Sequence, residues 1–149
     1  MAKVYRFEVD GTIPSKKNSL RGYLCPSVAT FINSNKHRNI ALKELSKFVR
    51  VRPSTDYEKW EAQITTELMR ASKGNLFLDN VETQFDIYFP RKGKSGGDLD
   101  NKKTSLLDAM VKANIIADDH YEVVKRSLEV GHYRKGHGGA VIHVKDLDS

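Results

Sequence analysis

The sequence predicts an α+β fold in a single domain, with a mixed β-sheet packed by two or three helices. Several stretches alternate apolar and polar residues, as half-buried strands do. Between them, other stretches repeat apolar residues every three to four positions, as amphipathic helices do. The length of 149 residues is typical of one domain with its own hydrophobic core.

The first strand is predicted at the start of the chain, where Tyr5, Phe7 and Val9 alternate with polar residues. A polar, basic loop follows at residues 14–18. Residues 22–32 predict one or two further short strands, interrupted near Pro26.

A basic segment follows from Lys36 to Arg52, with six Lys and Arg residues and one acid, Glu44. Its apolar residues fall on one helical stripe, and Pro53 would end a helix. We therefore predict a basic helix here, at about residues 35–53.

The main core helix is predicted over residues 55–72. It opens on Thr55-Asp56-Tyr57-Glu58, a capping-box pattern, and Gly74 follows its end. Residues 81–90 then alternate apolar and polar side chains, which predicts a strand.

After a glycine-rich basic loop, another helix is predicted, with Asp100 or Asn101 as its cap. Its apolar stripe runs from Leu106 to Val111. Two closing strands, at about 122–133 and 139–145, are predicted to form a C-terminal β-hairpin.

Composition limits the possible classes of protein. Cys25 is the only cysteine, which excludes an internal disulfide and a thiolate zinc cluster. No apolar run approaches the roughly 20 residues that span a bilayer, and the N-terminus from Met1 shows no secretory signal. We therefore expect no membrane association and a cytoplasmic setting. A net charge of +6 and a pI near 9.4 fit a nucleic-acid partner.

A local group of aspartates lies in the second half of this basic chain. Five carboxylates lie within 22 residues: Asp98, Asp100, Asp108, Asp118 and Asp119. Two such charges about 6 Å apart repel by roughly 3 kcal/mol, so a cluster needs a cation between the carboxylates, a shared proton or a nearby lysine. Mg²⁺ or Mn²⁺ fits, because both prefer oxygen ligands and are often held by one or two carboxylates plus substrate phosphates. The alternative is that these aspartates only cap helices and fill turns.

Within this set, Asp98 and Asp100 are two residues apart and would point the same way in an extended segment. Of the adjacent pair, we expect Asp119 to face the same cleft and Asp118 to support a turn. Asp108 lies about two helical turns beyond Asp100, so we expect it to have a paired, structural role.

Basic residues surround the acids and predict contacts with a phosphate backbone. One group of candidate DNA-binding residues borders the acidic cluster: Arg91, Lys92, Lys94 and Lys102. A second group lies in the N-terminal loop and just beyond it: Lys16, Lys17 and Arg21. The helix N-terminus at Asn101 adds free amide groups that suit a phosphate oxygen. A merely solvated charged surface is the alternative for either group.

The run Gly97-Asp98-Leu99-Asp100-Asn101, then Leu107-Asp108-Ala109-Met110 and Asp118-Asp119, resembles the RusA family of Holliday-junction resolvases. The loop Ile13-Pro14-Ser15-Lys16-Lys17-Asn18 is also similar to that family's N-terminal proline-lysine segment. The resemblance implies a homodimeric, Mg²⁺- or Mn²⁺-dependent endonuclease that cuts symmetric strands of a four-way DNA junction.

By the same resemblance, the catalytic and metal-binding aspartates fall on Asp98, Asp100 and Asp119. The family's catalytic lysine would fall on position 104, which is Thr104 here. We expect Lys103, or less directly Lys102, to take that role by stabilising charge on the phosphate.

The segment from Lys36 to Arg52 is an insertion relative to the family pattern, and we expect it to bind a DNA arm. Charge reversal at Lys43, Lys47 and Arg50 would then weaken junction binding.

Two other functions remain open from the residues alone. The chain would be a non-enzymatic DNA-binding accessory protein if the aspartates were structural. The other possibility is a small-molecule phosphoesterase, whose hydrolysis of a nucleotide monomer would not fall steeply with salt concentration. The basic patches argue against this possibility.

Overall fold

The structure, a computed structural model, describes residues 2–16 and 19–149. Its strands, in chain order, are β1 (Lys3–Asp10), β2 (Leu20–Leu24), β3 (Val49–Pro53), β4 (Val81–Phe89), β5 (Val124–Tyr133) and β6 (Gly139–Asp146). Its helices are α1 (Ser27–Ser34), α2 (Leu42–Leu45), α3 (Thr55–Ser72) and α4 (Leu99–Lys112). This arrangement confirms the predicted α+β class.

The main sheet has four strands in the order β1-β6-β4-β5. β6 pairs antiparallel with both β1 and β4, whereas β4 and β5 pair in parallel. Parallel neighbours need a crossover connection, and α4 supplies it. The end of β4, the start of α4 and the neighbouring strand β5 therefore belong to one β–α–β unit.

The core lies between this sheet and the helices α3 and α4. The sheet contributes buried side chains at alternate positions, including Phe85 and Ile87 of β4 and Ile142 of β6. α3 contributes Ile64 and Leu68 at helical spacing, and α4 contributes several residues of its central turns, all of them buried: Leu106, Leu107, Ala109 and Met110. Because α4 is packed along its length, its first turn is held in a fixed place at the edge of the core.

Two helix boundaries differ slightly from the prediction. α3 covers the predicted range, but its N-cap is Ser54, whose hydroxyl accepts a hydrogen bond from the Tyr57 amide at 3.2 Å. α4 begins at Leu99, so its N-cap is Asp98 and neither Asp100 nor Asn101. Asp98 takes this position because its backbone is extended, with ψ at 137°, whereas Asp100 is already helical.

The region between β1 and α3 differs more from the prediction. The second short strand expected after Pro26 is the helix α1, in which Phe31 packs on Phe48 with ring centroids 5.0 Å apart. The helix expected over residues 36–52 is wrong. Only the short α2 and a 3₁₀ turn at Ser46–Phe48 are helical there, and β3 follows.

The reason is long-range pairing. β3 forms a separate two-stranded antiparallel sheet with β2, which supplies a partner about 30 residues earlier in the chain. Val49 and Val51 alternate with arginines, a pattern that suits a strand as well as a helical stripe.

The two closing strands β5 and β6 form close to their predicted ranges and run antiparallel to each other. β4 lies between them in the sheet, so they are not direct hydrogen-bonding neighbours. Within residues 2–16 and 19–149, no helix is both long and apolar enough to cross a membrane.

Candidate active site

The candidate site lies where β4 ends and α4 begins. Asp98 is the N-cap of α4, and Asp100 lies in its first turn. Both residues are exposed. The extended segment that was expected to align the two side chains is absent, because the helix begins at Leu99 and includes Asp100. The two carboxylates belong instead to one helix start, where free amides and the helix dipole favour negative charge.

Neither carboxylate is neutralised by a protein cation. In the described part of the chain, no Lys, Arg or His forms an ion pair with Asp98 or Asp100. The Asn101 side-chain amide donates a hydrogen bond to Asp98 Oδ2 at 3.4 Å. The Thr104 hydroxyl donates to the Asp100 backbone carbonyl at 3.1 Å, which leaves the Asp100 carboxylate available.

Lys103 shares a helical face with Asp100, because residues three apart are neighbours on a helix. Its ammonium lies 3.4 Å from Glu129 Oε1 on β5, and both side chains are about one quarter exposed. The salt bridge holds the lysine beside the site without burying it. Glu129 was not singled out from the sequence, because only the parallel pairing of β4 and β5 brings it next to α4.

Lys102 lies in a different environment, which corrects its expected role in DNA binding. Only 4% of the residue is exposed, and its ammonium donates to the Ile13 carbonyl and lies 5.4 Å from the centre of the Phe89 ring. Burial lowers the pKa of Lys102. The side chain therefore fastens the N-terminal loop to α4 and is not presented to a ligand on the surface.

A cavity of about 190 Å³ adjoins Lys102 at this end of the sheet. Tyr88, Phe89, Arg91 and Gly96 contribute to its walls. A Cβ placed on Gly96 would lie 2.7 Å from Phe89 Cδ1, so the loop before Asp98 packs directly on this ring. The contact sets the path by which the chain reaches α4.

The remaining acids lie further along α4. Asp108 forms an ion pair with Lys16 at 3.4 Å, in agreement with a paired role for Asp108. Lys16, which was predicted to bind DNA, is therefore already paired with a carboxylate of the protein. Partial desolvation raises the pKa of Asp119, and its hydrogen bond with Asp118 and the charge of Asp108 add to this effect.

Asp118 makes a turn contact with its neighbour, as expected. It accepts a hydrogen bond from the Asp119 amide at 2.7 Å, which holds the pKa of Asp118 below its ordinary value. Of the two neighbouring carboxyl groups, Asp119 is thus the one whose negatively charged form is disfavoured. A cation bound beside it would stabilise that charged form.

The expectation that Asp98, Asp100 and Asp119 hold one metal ion together stays a prediction. Across the described residues, no three His, Cys, Asp or Glu side chains come close enough to hold a metal ion together. Asp119 interacts with Asp108, and the helical rise between Asp100 and Asp108 is about 12 Å. Asp98 and Asp100 thus lie at the start of α4, whereas the carboxyl of Asp119 is influenced by Asp108, which lies further along the helix.

The other predicted basic residues that the structure describes lie in two places. Arg91, Lys92 and Lys94 are exposed in the loop before α4, and the Lys92 ammonium lies 5.0 Å from the centre of the Tyr133 ring. Arg21 is an exposed residue of β2. Lys17 lies outside the described residues. Among the described residues, Arg91, Lys92 and Lys94 form no ion pair with a carboxylate, so the loop before α4 places positive charge beside the two aspartates.

A second polar cluster occupies the sheet face opposite the core. His132 Nε2 lies 2.9 Å from Asp86 Oδ1, and His143 Nε2 lies 3.9 Å from the other oxygen of the same carboxylate. The His132 ring also stacks on Tyr88, with centroids 5.0 Å apart. No local pattern in the sequence indicates this cluster, because its members come from three strands.

Comparison with known proteins yields two similarities. A family model described as endodeoxyribonuclease RusA matches residues 33–145. The crossover junction endodeoxyribonuclease RusA of Aquifex aeolicus (strain VF5) is 29% identical over 90 residues, which are 60% of this chain and 68% of that protein. The family match includes the whole β4–α4–β5 unit, and it begins after β1 and β2.

Proposed function

The chain belongs to the RusA family of endodeoxyribonucleases, and from this premise we propose that it resolves four-way DNA junctions by metal-dependent phosphodiester hydrolysis. The observation that carries the proposal is the exposed pair of carboxylates at the start of α4, Asp98 and Asp100, next to a basic loop. The pair suits a hard cation, and the loop suits the phosphates of a nucleic acid.

The donor set fits Mg²⁺ or Mn²⁺. Asp98 and Asp100 offer carboxylate oxygens that no protein cation occupies in the described chain, and such ions commonly use only one or two carboxylates. When bound, the ion would polarise the scissile phosphate and favour deprotonation of the attacking water. Asp119 joins this set in the proposal through the family resemblance.

Lys103 is the cation that we propose acts on the substrate. It shares the helical face of Asp100, and its ammonium is partly exposed beside Glu129. In the reaction it would donate hydrogen bonds to the phosphate oxygens as negative charge develops there. Lys102 would instead hold the loop around Ile13 against α4, and thereby keep the first turn in place.

The test is a comparison of Asp100→Asn with Asp56→Asn. Asp56 is a matched control, because it is exposed and occupies the second position of α3, as Asp100 does in α4. We expect Asp100→Asn to abolish Mg²⁺-dependent cleavage of a labelled four-way junction while leaving junction binding intact. Asp56→Asn should cut normally. Full activity of Asp100→Asn would refute the metal role.

We also propose that the active form is a homodimer, because a two-fold assembly can present two sites to the opposed strands of a junction. Mixing the inactive variants Asp100→Asn and Asp119→Asn tests whether the two aspartates of one active site come from the same protomer or from different protomers. Restored nicking in the mixture means that Asp100 and Asp119 act together from different protomers. An inactive mixture of dimers that do exchange subunits means that each chain assembles its own site.

A second candidate is a junction-binding accessory protein without nuclease activity. Two observations favour it: Thr104 occupies the position of the family's lysine, and no three acidic, His or Cys side chains within the described residues of one chain are placed to hold a metal ion. Salt-sensitive junction binding with no nicking in Mg²⁺ or Mn²⁺ would establish this alternative.

A further inference from the structure

The two-stranded sheet formed by β2 and β3 has two chemically distinct faces. In its register, Arg21 is opposite Arg52 and Tyr23 is opposite Arg50. Because alternate residues of a strand share a face, these four side chains lie on one side of the ribbon. The other side is entirely apolar or glycine: Leu20, Gly22, Leu24, Val49, Val51 and Pro53.

The polar face concentrates positive charge without protein counterions. Within the described residues, Arg21, Arg50 and Arg52 form no ion pair with a carboxylate. Arg50 donates to the backbone carbonyls of Lys47 and Val49, and Arg21 donates to its neighbouring carbonyl. All three arginines are exposed. Like charges directly across a sheet destabilise the pairing, so this face favours an anionic ligand.

The ring of Tyr23 lies within this face. The Arg52 guanidinium is 4.8 Å from its centroid, which confirms that the two side chains are on the same side and holds the guanidinium in a defined place. A planar guanidinium forms paired hydrogen bonds with phosphate oxygens, so a fixed row of them suits a phosphodiester backbone.

The charge of the whole protein is concentrated in the segment that contains the ribbon. Residues 20–53 contain seven Lys and Arg residues and one acid, a net charge of +6 that equals the net charge of the complete chain. That one acid, Glu44, is already paired with Arg38 at 2.8 Å. The rest of the molecule has balanced charges, so this segment dominates the long-range attraction of a polyanion.

We propose that the β2–β3 ribbon is a DNA-binding element that grips the phosphate backbone of a duplex arm through Arg21, Arg50 and Arg52. A two-stranded ribbon is narrow enough to follow a groove of B-DNA. The inference rests on the proposed function for the identity of the polyanion, and it replaces the basic helix expected from the sequence. Binding through this face does not depend on base sequence, because phosphates carry no sequence information.

The test measures equilibrium binding of a labelled four-way junction, without divalent ions, over a range of salt concentrations. The variant Arg21→Gln/Arg50→Gln/Arg52→Gln is compared with Lys59→Gln/Arg70→Gln/Lys125→Gln, which removes the same charge from exposed positions outside the ribbon. Three lost phosphate contacts should reduce the slope of log K against log salt by about 3, a loss of affinity on the order of 100-fold at 0.15 M salt. The control should lose far less.

A wild-type slope and affinity in the ribbon variant would overturn the inference. The single variant Arg21→Gln, with an expected slope change of about 1, decides the question if the triple variant unfolds. Cleavage by the wild-type protein is measured separately in Mg²⁺. A protein that binds through the ribbon but never cuts refutes the nuclease proposal alone, whereas a protein that cuts and binds normally without the arginines refutes the ribbon alone.

Discussion

Tyr57 provides a test of how α3 is packed against α4. The residue is only 2% exposed, and its hydroxyl donates to Glu61 Oε2 at 3.3 Å. Burial raises the pKa of Tyr57 from 10.0 to about 12, and the nearby carboxylates of Glu61 and Asp108 act in the same direction. The folded protein therefore keeps this phenol protonated in a pH range where the unfolded chain loses the proton.

The sign of the effect on stability follows directly. Below pH 10 both states hold the proton, so the contribution of Tyr57 is fully present. As the pH rises from about 10 to about 12, only the unfolded state releases the proton, and the free energy of unfolding falls. One pKa unit corresponds to about 1.4 kcal/mol, so the loss is at most about 3 kcal/mol.

The variant Tyr57→Phe removes this ionisation and one hydrogen bond worth about 1 kcal/mol. We expect it to be slightly less stable than the wild type at neutral pH and more stable near pH 12. Urea unfolding followed by circular dichroism at several alkaline pH values measures both. Tyr121→Phe is the matched control, because Tyr121 is 79% exposed and its removal should leave the alkaline loss unchanged. An identical loss in Tyr57→Phe and the wild type would refute the role of burial.

Three further predictions concern the site. Gly96→Ala should cost about 1–3 kcal/mol of stability and reduce cleavage, because the added Cβ would lie 2.7 Å from the Phe89 ring. Unfolding measurements should show no such cost for the control Gly22→Ala, where the nearest atom to the added Cβ is 4.0 Å away. Lys103→Met should lower kcat by roughly 10²- to 10³-fold with junction affinity and unfolding nearly unchanged, and an unchanged kcat would contradict its proposed role. Asp119→Asn should raise stability at neutral pH, because the raised pKa of Asp119 shows that its charged form is disfavoured. Unfolding at acidic pH should show this gain shrinking as the wild-type carboxyl becomes protonated.

Local patterns in the sequence are sufficient to predict a helix or strand whose own residues form a regular hydrophobic face. β4 alternates buried and less buried residues along its whole length, and α3 buries Tyr57, Ile64 and Leu68 at helical spacing. Both were predicted within a residue or two. Asp98 and Asp100 lie at the predicted junction of a strand, a loop and a helix, although the backbone between them is helical from Leu99 and not extended.

Features decided by distant pairing were not predictable in this way. The segment Val49–Pro53 becomes a strand because β2 is available as its partner. The burial of Lys102 had no local signal, because lysine is rarely buried and its acceptor, the Ile13 carbonyl, lies 89 residues earlier. The position of Asp119 relative to the first turn of α4 likewise depends on how the chain returns from α4 to β5.

The position of β6 has a consequence for how the protein forms during translation. This strand follows all the others in the chain, yet it lies between β1 and β4 and supplies hydrogen bonds to both. Until the ribosome has delivered it, one edge of β4 has no partner and is open to association with other nascent chains. Premature termination before residue 139 would therefore leave α4 with its aspartates attached to an incomplete, aggregation-prone sheet.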